Sequence, residues 1–151
     1  MKPQLMPSTA AIAGHPIHPM LVPFPIVCFT FALVTDIIYW QTSYLMWAEF
    51  SAWLLLAGIV FGVLAALFGA IDFLARREVR AQKPAWPHAI GNVVVLVLAF
   101  FNNLVHAADG WTSVVPWGLT LSTLTVLVML VTGWLGASLV HIHGVGVRSH
   151  D

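Results

Sequence analysis

Two histidines, His15 and His18, stand in the stretch "AGHPIHPMLVPFPI", directly before a long apolar run. Further along come Asp72, His88, Asn92 and His143, each at the end of another apolar run. Neutral imidazoles are ligands for haem iron and for transition metals, and a carboxylate can join them at a non-haem ion. His88 and Asn92 are four residues apart and share a helix face, so Asn92 is a supporting partner rather than a ligand. His143 extends a stripe of Ser122, Met129 and Gly136, seven apart, whereas His141 points about 200° away from it. Residues before proline favour extended backbone, which would place His15 and His18 about 9 Å apart in a polyproline segment. That is too far to share one ion without a turn at Ile17, so the pair divides into one ligand and one hydrogen-bonding partner, in an order left open.

The apolar runs must position these groups. The chain has 151 residues, is 60% hydrophobic and only 8% charged, and carries no net charge. A soluble domain carries about 25% charged residues, so this composition cannot coat a water-facing globule. With no basic excess, nucleic acid is not an expected partner. Cys28 is alone, which excludes an internal disulfide and a cysteine cluster, and reads as a small packing residue. The first run lacks a small-x-small cleavage site and reads as a retained span.

Four runs reach the roughly 20 residues that cross a bilayer: about Met20 to Trp40, Phe50 to Leu74, Ala89 to Ala108 and Trp117 to Val140. They show no period-two alternation, and backbone groups in lipid must pair internally, so they are helices. The expected fold is all-α: one four-span domain over residues 1 to 151, an up-down bundle with both termini on one side. Lys2, Arg76, Arg77, Arg80, Lys83 and Arg148 all fall on that side, which the positive-inside rule places in the cytoplasm. Tyr39, Trp40, Tyr44, Trp47 and Trp111 form an aromatic belt opposite. Pro23 and Pro25 fit the first turns of the first helix, and Gly110 with Pro116 breaks the chain between the third and fourth. No internal repeat is evident in the residue types.

Gly58, Gly62, Ala65, Gly69 and Asp72 share one face of the second helix, so Asp72 faces protein and not lipid. Folded together, His15, His18, Asp72, His88 and His143 converge at the cytoplasmic end. Three readings follow. A b-type haem would take two imidazoles, His88 with His143, His15 or His18, with Arg76, Arg77 or Arg80 on its propionates. A zinc, iron or copper ion would take two or three histidines with Asp72. In the third, every histidine only hydrogen-bonds a helix end, making a structural or partner-docking module. Asp72 has an equal claim to pair with Arg76. Asp36 and His106, near the opposite interface, are expected to be solvated. No nucleophile motif appears, so an enzyme ranks last, and four helices without an inverted repeat argue against a transporter. Partners are the bilayer, a redox protein and a second copy of the chain; Gly58 and Gly62 offer a small-xxx-small face for the last, with intramolecular packing favoured.

The stretches "GHPIHPMLVPFPI" (14 to 26), "GAIDF" (69 to 73), "HAIGN" (88 to 92) and "GWLGASLVHIHGVGV" (133 to 147) resemble DUF2231, a family of small bacterial inner-membrane proteins. The resemblance implies a four-helix membrane unit and carries the family pattern onto His15, His18, Asp72, His88, Asn92 and His143. Relatives in which a similar unit is joined to Rieske-type or c-type cytochrome domains imply electron transfer by analogy. Where this chain has His141 and Ile142, relatives often have tyrosine and arginine, which weakens His141 as a ligand.

Overall fold

The computed structural model describes residues 5–107 and 114–147. Lys2, Gly110, Trp111, Arg148 and His150 lie outside the described residues. A two-stranded hairpin comes first, β1 (Ala11–Ile12) with β2 (His15–Pro16). Its turn residues, Ala13 and Gly14, have φ of 51° and 82°, as a tight two-residue hairpin turn demands. Then come α1 (Ile17–Leu21), α2 (Pro23–Thr42), α3 (Leu45–Ala75), the single turn α4 (Arg77–Arg80) and α5 (Ala85–Ala107). A wide turn over Val114–Gly118 leads into α6 (Leu119–His141).

Four helical segments are long and apolar enough to cross a membrane: Ile17–Thr42, Leu45–Ala75, Ala85–Ala107 and Val114–His141. They overrun the spans expected from hydropathy because their ends are polar or proline-bearing. Pro87 sits in the first turn of α5, where a missing N–H costs nothing, so the helix starts before His88. Pro23 and Pro25 likewise open α2. His18 departs from expectation: although Pro19 follows it, it lies inside α1, where Pro19 falls in the first turn and its missing N–H has no intrahelical partner to lose. Arg80 donates through Nη1 to the carbonyls of Phe73 and Leu74, capping the last turn of α3.

The core is thin, built on Phe29, Ala32, Leu55, Val95, Ala99 and Met129. Large apolar side chains such as Phe31, Trp53, Leu67, Phe101 and Leu130 stay exposed, and Trp134 is 79% exposed. A water-soluble protein would bury that surface; a membrane protein presents it to acyl chains.

The structure corrects one sequence expectation, because the helices do repeat. The buried positions Pro25, Phe29, Ala32 and Asp36 of α2 recur 70 positions on as Val95, Ala99, Asn102 and His106 of α5. In the following helix, Ser51, Leu55, Gly58 and Ala65 recur 67 positions on as Gly118, Ser122, Thr125 and Thr132. The residue types differ while these positions stay buried; the match is partial, since Thr35, Ala48, Met129 and Leu139 are buried and their counterparts Val105, Val115, Gly62 and Asp72 are half-buried. At one layer the first half uses Phe29 with Gly58, where a Cβ on Gly58 would lie 2.4 Å from the Phe29 ring; the second half has Ala99 with Thr125. Gly58→Thr alone is therefore expected to cost about 1–3 kcal/mol through overpacking. Phe29→Ala with Gly58→Thr copies the second half's pair and should recover most of that loss. Thermal unfolding in detergent measures both; strictly additive losses would sink the equivalence.

Candidate functional site

His18 and His88 occupy equivalent positions in the two halves and face one another. Their ring centroids are 6.3 Å apart and their planes are perpendicular. His18 Nδ1 lies 2.7 Å from the carbonyl oxygen of Ala65 on α3. His88 Nδ1 lies 2.9 Å from that of Thr132 on α6. Ala65 and Thr132 are themselves equivalent. A carbonyl only accepts, so each Nδ1 carries a proton and donates; in the neutral ring that tautomer puts the lone pair on Nε2. Asn92 donates through Nδ2 to the carbonyl of His88 at 2.8 Å. The same atom is almost equidistant from both ring nitrogens, at 3.4 and 3.3 Å, so it lies beside the ring rather than along the Nε2 lone pair.

A cavity of about 460 Å³ opens beside the two imidazoles. Asn92, Asp72 and Thr132 also line it, and most of the wall is apolar, including Phe29, Leu96 and Met129. Small-molecule and cofactor sites run roughly 300–1,000 Å³ and share this mixture of apolar wall and few polar groups.

Of the expected ligands, the structure brings together His18 and His88 with Asn92 in support. His15 is exposed on β2. His143 sits half-buried in the turn after α6, its backbone N–H bonded to Ser138, and does not line the cavity. His141 ends α6 in an exposed position. Asp72 lines the cavity, yet its carboxylate is already engaged. It accepts from Ser8 Oγ at 2.5 Å, from the Thr9 amide at 2.5 Å and from the Ala10 amide at 3.2 Å. Among the described residues no three His, Cys, Asp or Glu side chains gather closely enough to hold an ion.

Asp72 thus fastens an N-terminal strap over this end of the bundle. Met6 continues the strap, donating from its amide to Gly144 and accepting from that of Gly146. Arg76 donates through Nε to Thr9 Oγ1 and forms no ion pair with Asp72. Neither Arg76, Arg77 nor Arg80 lines the cavity. Replacing Asp72 by alanine should speed amide hydrogen exchange at Thr9 and Ala10 roughly tenfold, equivalent to about 1.4 kcal/mol, within the range for hydrogen bonds to a charged acceptor. Unchanged exchange would show that the strap is held by something else.

The other end of the bundle overturns an expectation. Asp36 and His106, expected to be solvated, are 0% and 2% exposed. His106 Nε2 lies 2.8 Å from Asp36 Oδ1. Ser51 donates to Oδ1 and Ser122 to Oδ2, each at 2.5 Å. Thr35 joins Ser51 at 2.7 Å, and His106 Nδ1 lies 2.9 Å from the Asn102 carbonyl. Either orientation of the Asn102 amide meets Ser122 Oγ at 2.7 Å; the turned one adds a donation to the Gly118 carbonyl at 3.2 Å. Every helix of the bundle contributes, and among the described residues no buried side-chain polar atom lacks a partner. Gly118 makes the room, since a Cβ there would lie 2.8 Å from the His106 ring. Distance from the predicted span ends suggested solvent; the signal for burial was the 70-residue correspondence between Asp36 and His106.

Equivalent residues that touch lie near the axis relating the two halves. His18 with His88 marks one point of that axis and Asp36 with His106 another.

No curated protein and no solved structure matches the chain. A family model described as "Predicted membrane protein (DUF2231)" matches residues 14–149. That stretch takes in β2, all four long helices and both axial pairs, and the chain belongs to the DUF2231 family of predicted membrane proteins.

Proposed function

We propose that this protein is an electron-transfer module of the bacterial inner membrane that holds a b-type haem between His18 and His88. One observation carries the reading: two imidazoles, each fixed through Nδ1 by a backbone carbonyl, stand with ring centroids 6.3 Å apart beside a largely apolar cavity. At that separation both rings could reach one metal ion between them. Carbonyl bonds to Nδ1 raise the basicity of Nε2 and fix the ring orientation, as at other histidine metal sites. The residues present therefore fit the group. Bound there, a haem would supply one-electron chemistry; His18 and His88 would hold it, the apolar wall would exclude water, and Asn92 would stand beside the His88 ring.

The same reading arranges the helices up and down, with both termini in the cytoplasm. Arg76, Arg77, Arg80 and Lys83 sit in the α3–α5 connection, at the end that holds His18 and His88, which supports that orientation. A redox protein docking at this end is the expected electron partner. A non-haem ion is less well supported, because His15, Asp72 and His143 do not join the pair. A purely structural module is the competing reading, favoured by the backbone bonds that both imidazoles already make.

An absorption spectrum of the gently extracted protein, oxidised and then reduced, separates them. A Soret band that sharpens on reduction, with a narrow α band, is expected. A featureless visible spectrum from folded protein produced with ample haem would leave the structural module.

A further inference from the structure

We propose that Gly69 and Gly136 are paired positioning residues that seat the two imidazoles, making the site a twofold one for a metal-centred planar ligand gripped on opposite faces. The inference rests on the haem reading for its ligand and on the helix geometry alone for the seats.

Each imidazole bonds a carbonyl that already accepts an N–H within its own helix. The remaining lone pair of a helical carbonyl is reached only from the side, and the side chain four residues on leans back over it. Ala65 is followed four residues later by Gly69, and Thr132 by Gly136. A Cβ on Gly69 would lie 2.9 Å from His18 Nδ1, and one on Gly136 would lie 2.9 Å from His88 Cε1. Any side chain there pushes the ring off its carbonyl. Both glycines belong to the small-residue faces that the sequence assigns to helix packing, but what packs on them is a ring. Gly69 and Gly136 correspond across the repeat, as do Ala65 and Thr132, and His18 and His88. The two seats are one device used twice.

A ligand held by two equivalent seats near an axis is met by the same donor from both sides. That describes a metal with two axial positions in a planar macrocycle. It does not describe an asymmetric organic substrate, which would call for different groups on its two sides. Because the imidazole planes are perpendicular, a ferric low-spin centre there should give a strongly anisotropic paramagnetic resonance signal, unlike one with parallel rings.

The full chain in detergent tests this in two steps. Nitrogen NMR of labelled histidine, recorded without haem, should show Nδ1 protonated and Nε2 bare on both His18 and His88. Protonated Nε2 on either ring would overturn the proposal, whatever the variants do. Titration with ferric haem then compares Gly69→Ala and Gly136→Ala with the unaltered chain. Each should weaken binding roughly 10–100-fold, the range for losing a group that orients a ligand, and the two should agree. In Gly69→Ala the His18 resonances should move and those of His88 stay, with the reverse for Gly136→Ala. Unaltered affinity in folded variants, or loss from one only, would overturn the paired role. Bare Nε2 atoms with no haem uptake by the unaltered chain would support the seats and defeat the haem reading instead.

Discussion

Removing either member of the buried Asp36–His106 pair, as Asp36→Ala or His106→Ala, is expected to cost about 3–5 kcal/mol of stability. The partner left behind has no water to turn to, since both side chains are fully buried. Ser51 and Ser122 would lose their acceptor as well in Asp36→Ala. Replacing both at once by leucine removes the stranded group and should cost less than the sum of the single changes. Unfolding in mixed micelles, read as a double-mutant cycle, measures this; single losses below about 1 kcal/mol would mean that the pair is not a clamp. Magnitude also argues against a redox-linked role. His106 lies eighteen residues along α5 from His88, about 27 Å at 1.5 Å per residue. A unit charge at that distance contributes roughly 0.6 kcal/mol at an effective dielectric of 20, too little to govern the pair. Its work is to join four helices at the end opposite the cavity.

The second large effect is on the cofactor. His18→Ala and His88→Ala should each abolish the reduced α band, because both imidazoles would be needed to hold the haem. His15→Ala and His143→Ala should keep it, since neither side chain lines the cavity. The four single variants, expressed to equal levels and compared by reduced-minus-oxidised spectra, assign the ligands without further assumption. A band surviving His88→Ala would remove the axial pair from consideration. Loss in all four would point to a general folding defect, which the unfolding midpoint would reveal.

The membrane-spanning helices were legible in sequence because hydropathy and length decide them almost alone. His88 and Asn92 were legible as helix neighbours, and Asp72 as protein-facing, from spacing. The choice between His15 and His18 was not, since it depends on a hairpin turn at Ala13 and Gly14 that sends His15 outward and starts α1 before His18. The role of Asp72 was hidden because its partners are backbone amides of Thr9 and Ala10, which leave no mark in residue type. The repeat was hidden because equivalent positions carry different residues, Phe29 and Gly58 in the first half answering to Ala99 and Thr125 in the second. Burial at 70- and 67-residue offsets shows it where identity does not.

Joining the two halves in one chain has a chemical consequence. In a dimer of identical hairpins, a residue near the twofold axis meets its own copy. The position of Asp36 would then set two carboxylates face to face, and that of His106 two imidazoles, in a medium where like groups repel with little screening. A single chain escapes that constraint, because each half can change without the other. One half holds aspartate and the other histidine, with Ser51 and Ser122 supplying hydroxyls to the same carboxylate from non-equivalent positions. At the opposite end the halves stay matched, His18 to His88. Covalent linkage thus allows one end of the axis to remain symmetric for a ligand while the other becomes a heterologous lock.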